Sequence, residues 1–205
     1  MTMDNKELKG IEYLCNLVVK GWIKRNIITE EFEEWYTFGL YSFVSGIINM
    51  VIPIMLGVLL GCITETFVYL AVFILSREFM GGYHCDTPLR CKITSIIIYL
   101  LVMSVNFFNI FDNYILYMII GGFIFGNIVI YIFCPVQNHN KILEENLQKR
   151  YKIISYIIYN ILFFVECGLF YFKNKYASII TSTLLIVVIL AIIGYYKERR
   201  IYNVK

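Results

Sequence analysis

Charged side chains are scarce in this 205-residue chain. Asp, Glu, Lys and Arg make up 16% of it, where a soluble domain carries about a quarter. The shortage is uneven: residues 39–60, 93–111, 114–137 and 177–196 contain none at all. Histidine occurs twice and proline three times. The six cysteines, at 15, 62, 85, 91, 134 and 167, include no Cys-x-x-Cys pair. That argues against a zinc ribbon or a dense disulfide framework, and most of these cysteines are expected to act as small apolar residues. A net charge of +3 is too small to suggest a nucleic-acid partner. The polar, mixed-charge start predicts no cleavable signal peptide. Neither an internal repeat nor a low-complexity linker is visible.

Apolar residues fill the space that charge leaves, at 59% of the chain and a mean hydropathy of +0.68. A helix crosses a bilayer with roughly 20 apolar residues. The charge-free blocks predict an all-α, polytopic membrane protein with about six transmembrane helices, at 39–60, 63–76, 93–108, 114–133, 153–172 and 176–196. The expected layout is a single membrane-embedded domain over 1–205. It has an amphipathic N-terminal region at 1–38, a bundle at 39–196 and a tail at 197–205. Charge placement supports the count. The segments 1–38, 77–92, 134–152 and 197–205 share one predicted side and hold 16 of the 18 Lys and Arg residues. Basic residues accumulate on the cytoplasmic side, so both termini and the 77–92 loop are expected in the cytoplasm of a cell-membrane protein. The second span is short, and continuing it to Met80 would draw Arg77 and Glu78 toward the membrane.

Leu8, Ile11, Leu14, Cys15, Val18, Val19 and Trp22 recur at helical spacing. That fits either a helix lying on the membrane surface or one packed on the bundle. Thr29, Glu30 and Glu31 read as the start of a further helix, since acidic groups suit the positive end of a helix dipole.

Residues 77–91, Arg-Glu-Phe-Met-Gly-Gly-Tyr-His-Cys-Asp-Thr-Pro-Leu-Arg-Cys, concentrate chemistry between two apolar spans. Ionisable groups in such a place are functional candidates. His84 and Cys91 are seven positions apart, roughly 10 Å along one continuous helix, too far for proton transfer over about 3 Å. The chain must bend between them, and Gly81 and Gly82 permit this. Thr87-Pro88 reads as an N-cap and first helical residue, which puts Cys91 in the first turn of the next helix. A helix N-terminus and nearby cations, here Arg90, Lys92 and Arg77, favour a thiolate. His84 would then serve as base and acid, oriented by Asp86, Glu78 or Gln137. Cys85 adjoins His84, but neighbouring side chains diverge, so Cys91 is the preferred nucleophile.

The same stretch resembles the accessory gene regulator B (AgrB) family. Its pattern is Arg, four residues, Gly, one residue, His, six residues, Cys, and Arg77, Gly82, His84 and Cys91 match every spacing. The chain length, basic N-terminal region and Cys134-Pro135 element also fit, while Cys85 stands where a small residue is common. The resemblance implies a membrane cysteine endopeptidase of quorum sensing, with His84 and Cys91 catalytic and no cofactor. Its partner would be an AgrD-like precursor peptide with an acidic C-terminal tail. Cleavage would pass through a thioester, which an internal Cys or Ser of the precursor closes into a thiolactone or lactone. The resemblance also implies a homodimer in the lipid bilayer. Arg77, Gly82, Asp86 and Arg90 are expected to bind substrate or support the site. Two other readings stand beside this one. The chain could be a small permease or exporter subunit, with Glu65 and Glu166 lining a path. It could also be a metal-dependent hydrolase using His84, Cys85 and Cys91 with Cys134 or His139.

Overall fold

The computed structural model describes residues 10–83, 88–110, 114–136 and 144–203; for Pro88, Leu89 and 201–203 the description is limited to the backbone. All regular structure among these residues is helical. The helices are α1 (Ile11–Lys24), α2 (Glu33–Leu59), α3 (Ile63–Met80), α4 (Pro88–Phe107), α5 (Ile115–Phe133), α6 (Glu145–Tyr171) and α7 (Tyr176–Asn203). The chain forms two compact units, Met1–Ile52 and Pro53–Lys205.

In the first unit, α1 buries Cys15 and Val19 but leaves Leu14 and Val18 exposed. The apolar face expected from the spacing is thus covered along one half and open along the other. Asn16 donates a 3.3 Å hydrogen bond to Glu33, and Lys20 lies 3.9 Å from the same carboxylate, tying α1 to the start of α2. Thr29 adopts extended backbone ahead of a 3-10 turn at Glu30–Phe32, without a side-chain capping bond. The expected helix start is thus in place, but the acidic first turn rather than a Thr hydroxyl marks it.

The second unit is built around α7. Two-thirds of its most apolar stretch (67%) is buried inside the protein, against 22% or less for the other four membrane-length helices. It packs against α3, α4, α5 and α6, and α6 also packs on α3 and α5. One core joins Val72, Val129, Ile130, Tyr159, Leu184 and Val188; another joins Tyr69, Tyr99, Val102, Ile179 and Leu190. The α5–α6 seam is close: Tyr159 donates a 2.7 Å hydrogen bond to the Gly122 carbonyl. A Cβ on Gly126 would sit 2.0 Å from the Tyr159 hydroxyl oxygen.

Five helices are long and apolar enough to span a bilayer: Glu30–Leu59, Arg90–Phe107, Ile115–Phe133, Glu145–Tyr171 and Tyr176–Arg200. The remaining expected span, α3, runs past residue 76 to Met80 and so adds Arg77 and Glu78 to the Glu65 it already carries. Arg and Glu are good helix formers, and the helix stops only where Gly81 takes a φ of +73°. For the same reason α6 begins at Glu145, well before the apolar run expected from 153.

Candidate functional site

The end of α3 delivers the chain to the site. Arg77, in the last turn, donates a 2.6 Å hydrogen bond from Nη2 to the Tyr83 carbonyl. Its guanidinium also lies over the Phe73 ring, 5.3 Å from the centroid. Gly81 and Gly82 then turn the chain with φ of +73° and +151°, values that only glycine adopts without strain. Gly81 is pressed against other backbone. A Cβ on Gly81 would stand 2.5 Å from the Val136 carbonyl oxygen, and the Val136 amide donates to the Met80 carbonyl at 3.0 Å. Gly82 is buried and faces α7, where the Tyr83 amide donates to the Leu190 carbonyl at 3.0 Å. The Tyr83 ring lies 5.0 Å from the Lys197 ammonium. Tyr83 is thus held at its amide, its carbonyl and its ring.

Helix α4 starts at Pro88, where the Thr87-Pro88 pair predicted it. Cys91 therefore lies in its first turn, as a half-buried free thiol. Arg90 is exposed beside it. His84 and Asp86, with Cys85 and Thr87, lie outside the described residues, as do Gln137 and His139. Among the expected site residues, the structure thus places Arg77, Gly82, Arg90 and Cys91. The hydrogen bonds from Tyr83 to Leu190 and from Val136 to Met80 bring the ends of α3 and α5 and the C-terminal part of α7 together. Phe79 meets Tyr151 of α6 at the same end, with ring centroids 5.7 Å apart. Residues 79–83, Val136, Tyr151 and Lys197 thus lie at one end of the bundle.

Three candidate ligands of the metal reading, His84, Cys85 and His139, lie outside the described residues. No group of three His, Cys, Asp or Glu residues placed to hold a metal exists among the described residues. Cys134, another candidate ligand, is buried at the end of α5. The acidic residues offered for a transport path have other uses. Glu65 pairs with Lys175 at the opposite end, and Glu166, buried on α6, accepts a hydrogen bond from Thr181 of α7. Three residues at the loop escaped the sequence reading: Val136, Leu190 and Gly194. Only Gly194 left a trace, as a lone glycine inside the last apolar run, which often marks a packing demand.

The fold and the loop define a polytopic helical membrane protein with a glycine-turned loop docked on its central helix. The profile of the accessory gene regulator B family matches residues 11–192, and the chain belongs to that family. It is 26% identical to an AgrB-like protein of Clostridium perfringens (strain SM101 / Type A) over 185 residues, 87% of this chain and 86% of the relative. It is 31% identical to AgrB-like protein 1 of C. perfringens (strain 13 / Type A) over 156 residues, 74% and 79% of the two chains. It is 33% identical to protein FsrB of Enterococcus faecalis (strain ATCC 47077 / OG1RF) over 87 residues, 40% of this chain and 36% of that one. No solved structure matches. Membership ties the chain to the maturation of quorum-sensing peptides at the membrane.

Proposed function

We propose that this protein is a membrane cysteine endopeptidase that removes the C-terminal tail of an AgrD-like precursor, with Cys91 as nucleophile and His84 as its base. The observation that carries the reading is the complete Arg77, Gly82, His84, Cys91 spacing in a chain of this family. Its support in the fold is the seat of Cys91 in the first turn of α4, where the helix dipole favours a negative sulfur. His84 takes the thiol proton as the sulfur attacks the scissile carbonyl. The C–N bond breaks, His84 returns the proton to the departing amine, and a thioester remains on Cys91. A Cys or Ser within the precursor then gives its proton to His84 and attacks that thioester, closing the ring and releasing the Cys91 thiolate. The working form is a homodimer, with both termini and the 77–92 loop on the cytoplasmic side. Asp86 and Arg90 support the site, and Arg77 holds the loop, the precursor's acidic tail or both.

The test is cleavage of an AgrD-like precursor in membranes. Cys91→Ala and His84→Ala each abolish cleavage while inserting normally, whereas Cys85→Ala and Cys134→Ala retain it. With a precursor lacking its ring-closing nucleophile, the wild type accumulates a hydroxylamine-sensitive thioester that mass spectrometry places on Cys91. Full cleavage by Cys91→Ala, or an adduct on Cys85, ends this reading. A permease has no need of a nucleophile and would be indifferent to Cys91→Ala.

A further inference from the structure

We propose that Gly194 of α7 is a positioning residue for the endopeptidase reaction, because its missing side chain lets the Gly82–Tyr83 peptide lie directly on α7 and so fixes the backbone leading into His84. The inference rests on the reading above in taking His84 as the base.

The argument begins with helix geometry. In an α-helix each carbonyl points along the axis toward the amide four residues on, so the Leu190 carbonyl points toward residue 194. It nonetheless accepts a second bond, from the Tyr83 amide at 3.0 Å, which the two lone pairs of a carbonyl oxygen allow. A chain that reaches this carbonyl from outside must pass over residue 194. The distances show how tightly it passes: a Cβ there would lie 2.6 Å from the Gly82 carbonyl carbon, 2.7 Å from the Tyr83 nitrogen and 2.9 Å from the Gly82 oxygen. All three are backbone atoms, so no rotamer change can relieve the clash.

The loop has little freedom to retreat from α7. Gly81 is in similarly close approach to Val136, the Val136 amide is bonded to Met80, and Arg77 holds the Tyr83 carbonyl. Alanine at 194 therefore has to pull the Tyr83 amide off Leu190 or move α7. The next residue after this clamp is His84. A misplacement of about 1 Å in a catalytic constellation costs on the order of 100-fold in rate. Gly168 of α6 and Gly121 of α5 provide the contrast, since a Cβ at either meets nothing within 4 Å.

The test pairs kinetics with hydrogen exchange on the full chain in detergent micelles, using a synthetic AgrD-like precursor that the wild type cleaves. Gly194→Ala lowers kcat by about 100-fold with KM within about twofold, while Gly168→Ala and Gly121→Ala keep wild-type kinetics. In the wild type, the Tyr83 amide is protected from exchange to the same degree as the body of α7, and Gly194→Ala removes that protection. Wild-type kcat in Gly194→Ala, or a rise in KM alone, overturns the proposal. So does rapid exchange at Tyr83 in the wild type, a measurement that decides the matter even if the variant does not accumulate. Failure of the underlying reading looks different: His84→Ala would then cleave normally, whatever Gly194→Ala and the exchange pattern show.

Discussion

The bundle of α3 to α7 holds its two ends by different means. At one end the hold is backbone on backbone: Tyr83 to Leu190, Val136 to Met80, and Gly81 against Val136. At the other it is side chain on side chain, with Lys175 paired to Glu65 at the surface and Thr66 bonded to Tyr99 at 2.7 Å. Side chains can find new rotamers or be replaced by water. Backbone contacts across a glycine cannot. An end built this way holds the route of the chain rather than merely joining helices, and it is the end that carries the family motif.

That contrast predicts a gradient of effects. At the motif end the Arg77 side chain holds the backbone of the loop itself, through the Tyr83 carbonyl. Hydrogen bonds from a charged donor are roughly twice as strong as neutral ones. Arg77→Gln should lower kcat at saturating precursor by about tenfold or more, with Arg77→Lys intermediate, in steady-state cleavage assays. A rise in KM with unchanged kcat, relieved by raising the precursor concentration, would instead give Arg77 the acidic tail as its partner.

An intermediate effect belongs to the α5–α6 seam. Gly126→Ala places a methyl group 2.0 Å from the Tyr159 hydroxyl oxygen and within 2.8 Å of its ring. Overpacking of this kind costs typically about 1–3 kcal/mol. Thermal unfolding in detergent should show the loss, and combining the variant with Tyr159→Phe should recover part of it. Cleavage per folded molecule should stay near wild type, because the seam does not touch the loop.

The smallest effect is expected at the opposite end. Glu65 raises the affinity of Lys175 for its proton, yet exposed ion pairs contribute little. Lys175→Gln should leave cleavage within about twofold of wild type. A larger loss would show that the two ends are coupled through α7 and that the contrast drawn between them is too sharp.

Much of this could be read along the chain. The membrane helices followed from charge-free runs, since charge is too costly in hydrocarbon for such runs to end elsewhere. The start of α4 followed from Pro88, whose missing amide and fixed φ suit a first helical turn. Gly81 and Gly82 do turn the chain, while the bend expected between His84 and Cys91 falls on residues outside the described ones. Helix and membrane span part company at two places: Arg77 and Glu78 end an apolar run but not a helix, and the same holds for the polar start of α6. Which half of the α1 face is covered was hidden because spacing reports which residues are apolar, not which of them find a partner.

By itself, then, the sequence determined the helical membrane class, the motif with its spacing, and the placement of Cys91 in the first turn of a helix. Each depends on residues within a single stretch of the chain. Only the tertiary structure decided that α7 is the central helix, that the loop docks on it through Leu190, and that Gly194 is the place where it must be bare. Lipid tails are as apolar as leucine, so hydropathy cannot distinguish a lipid-facing helix from a buried one. A contact between Tyr83 and α7 joins segments far apart in the chain, and no local pattern records it.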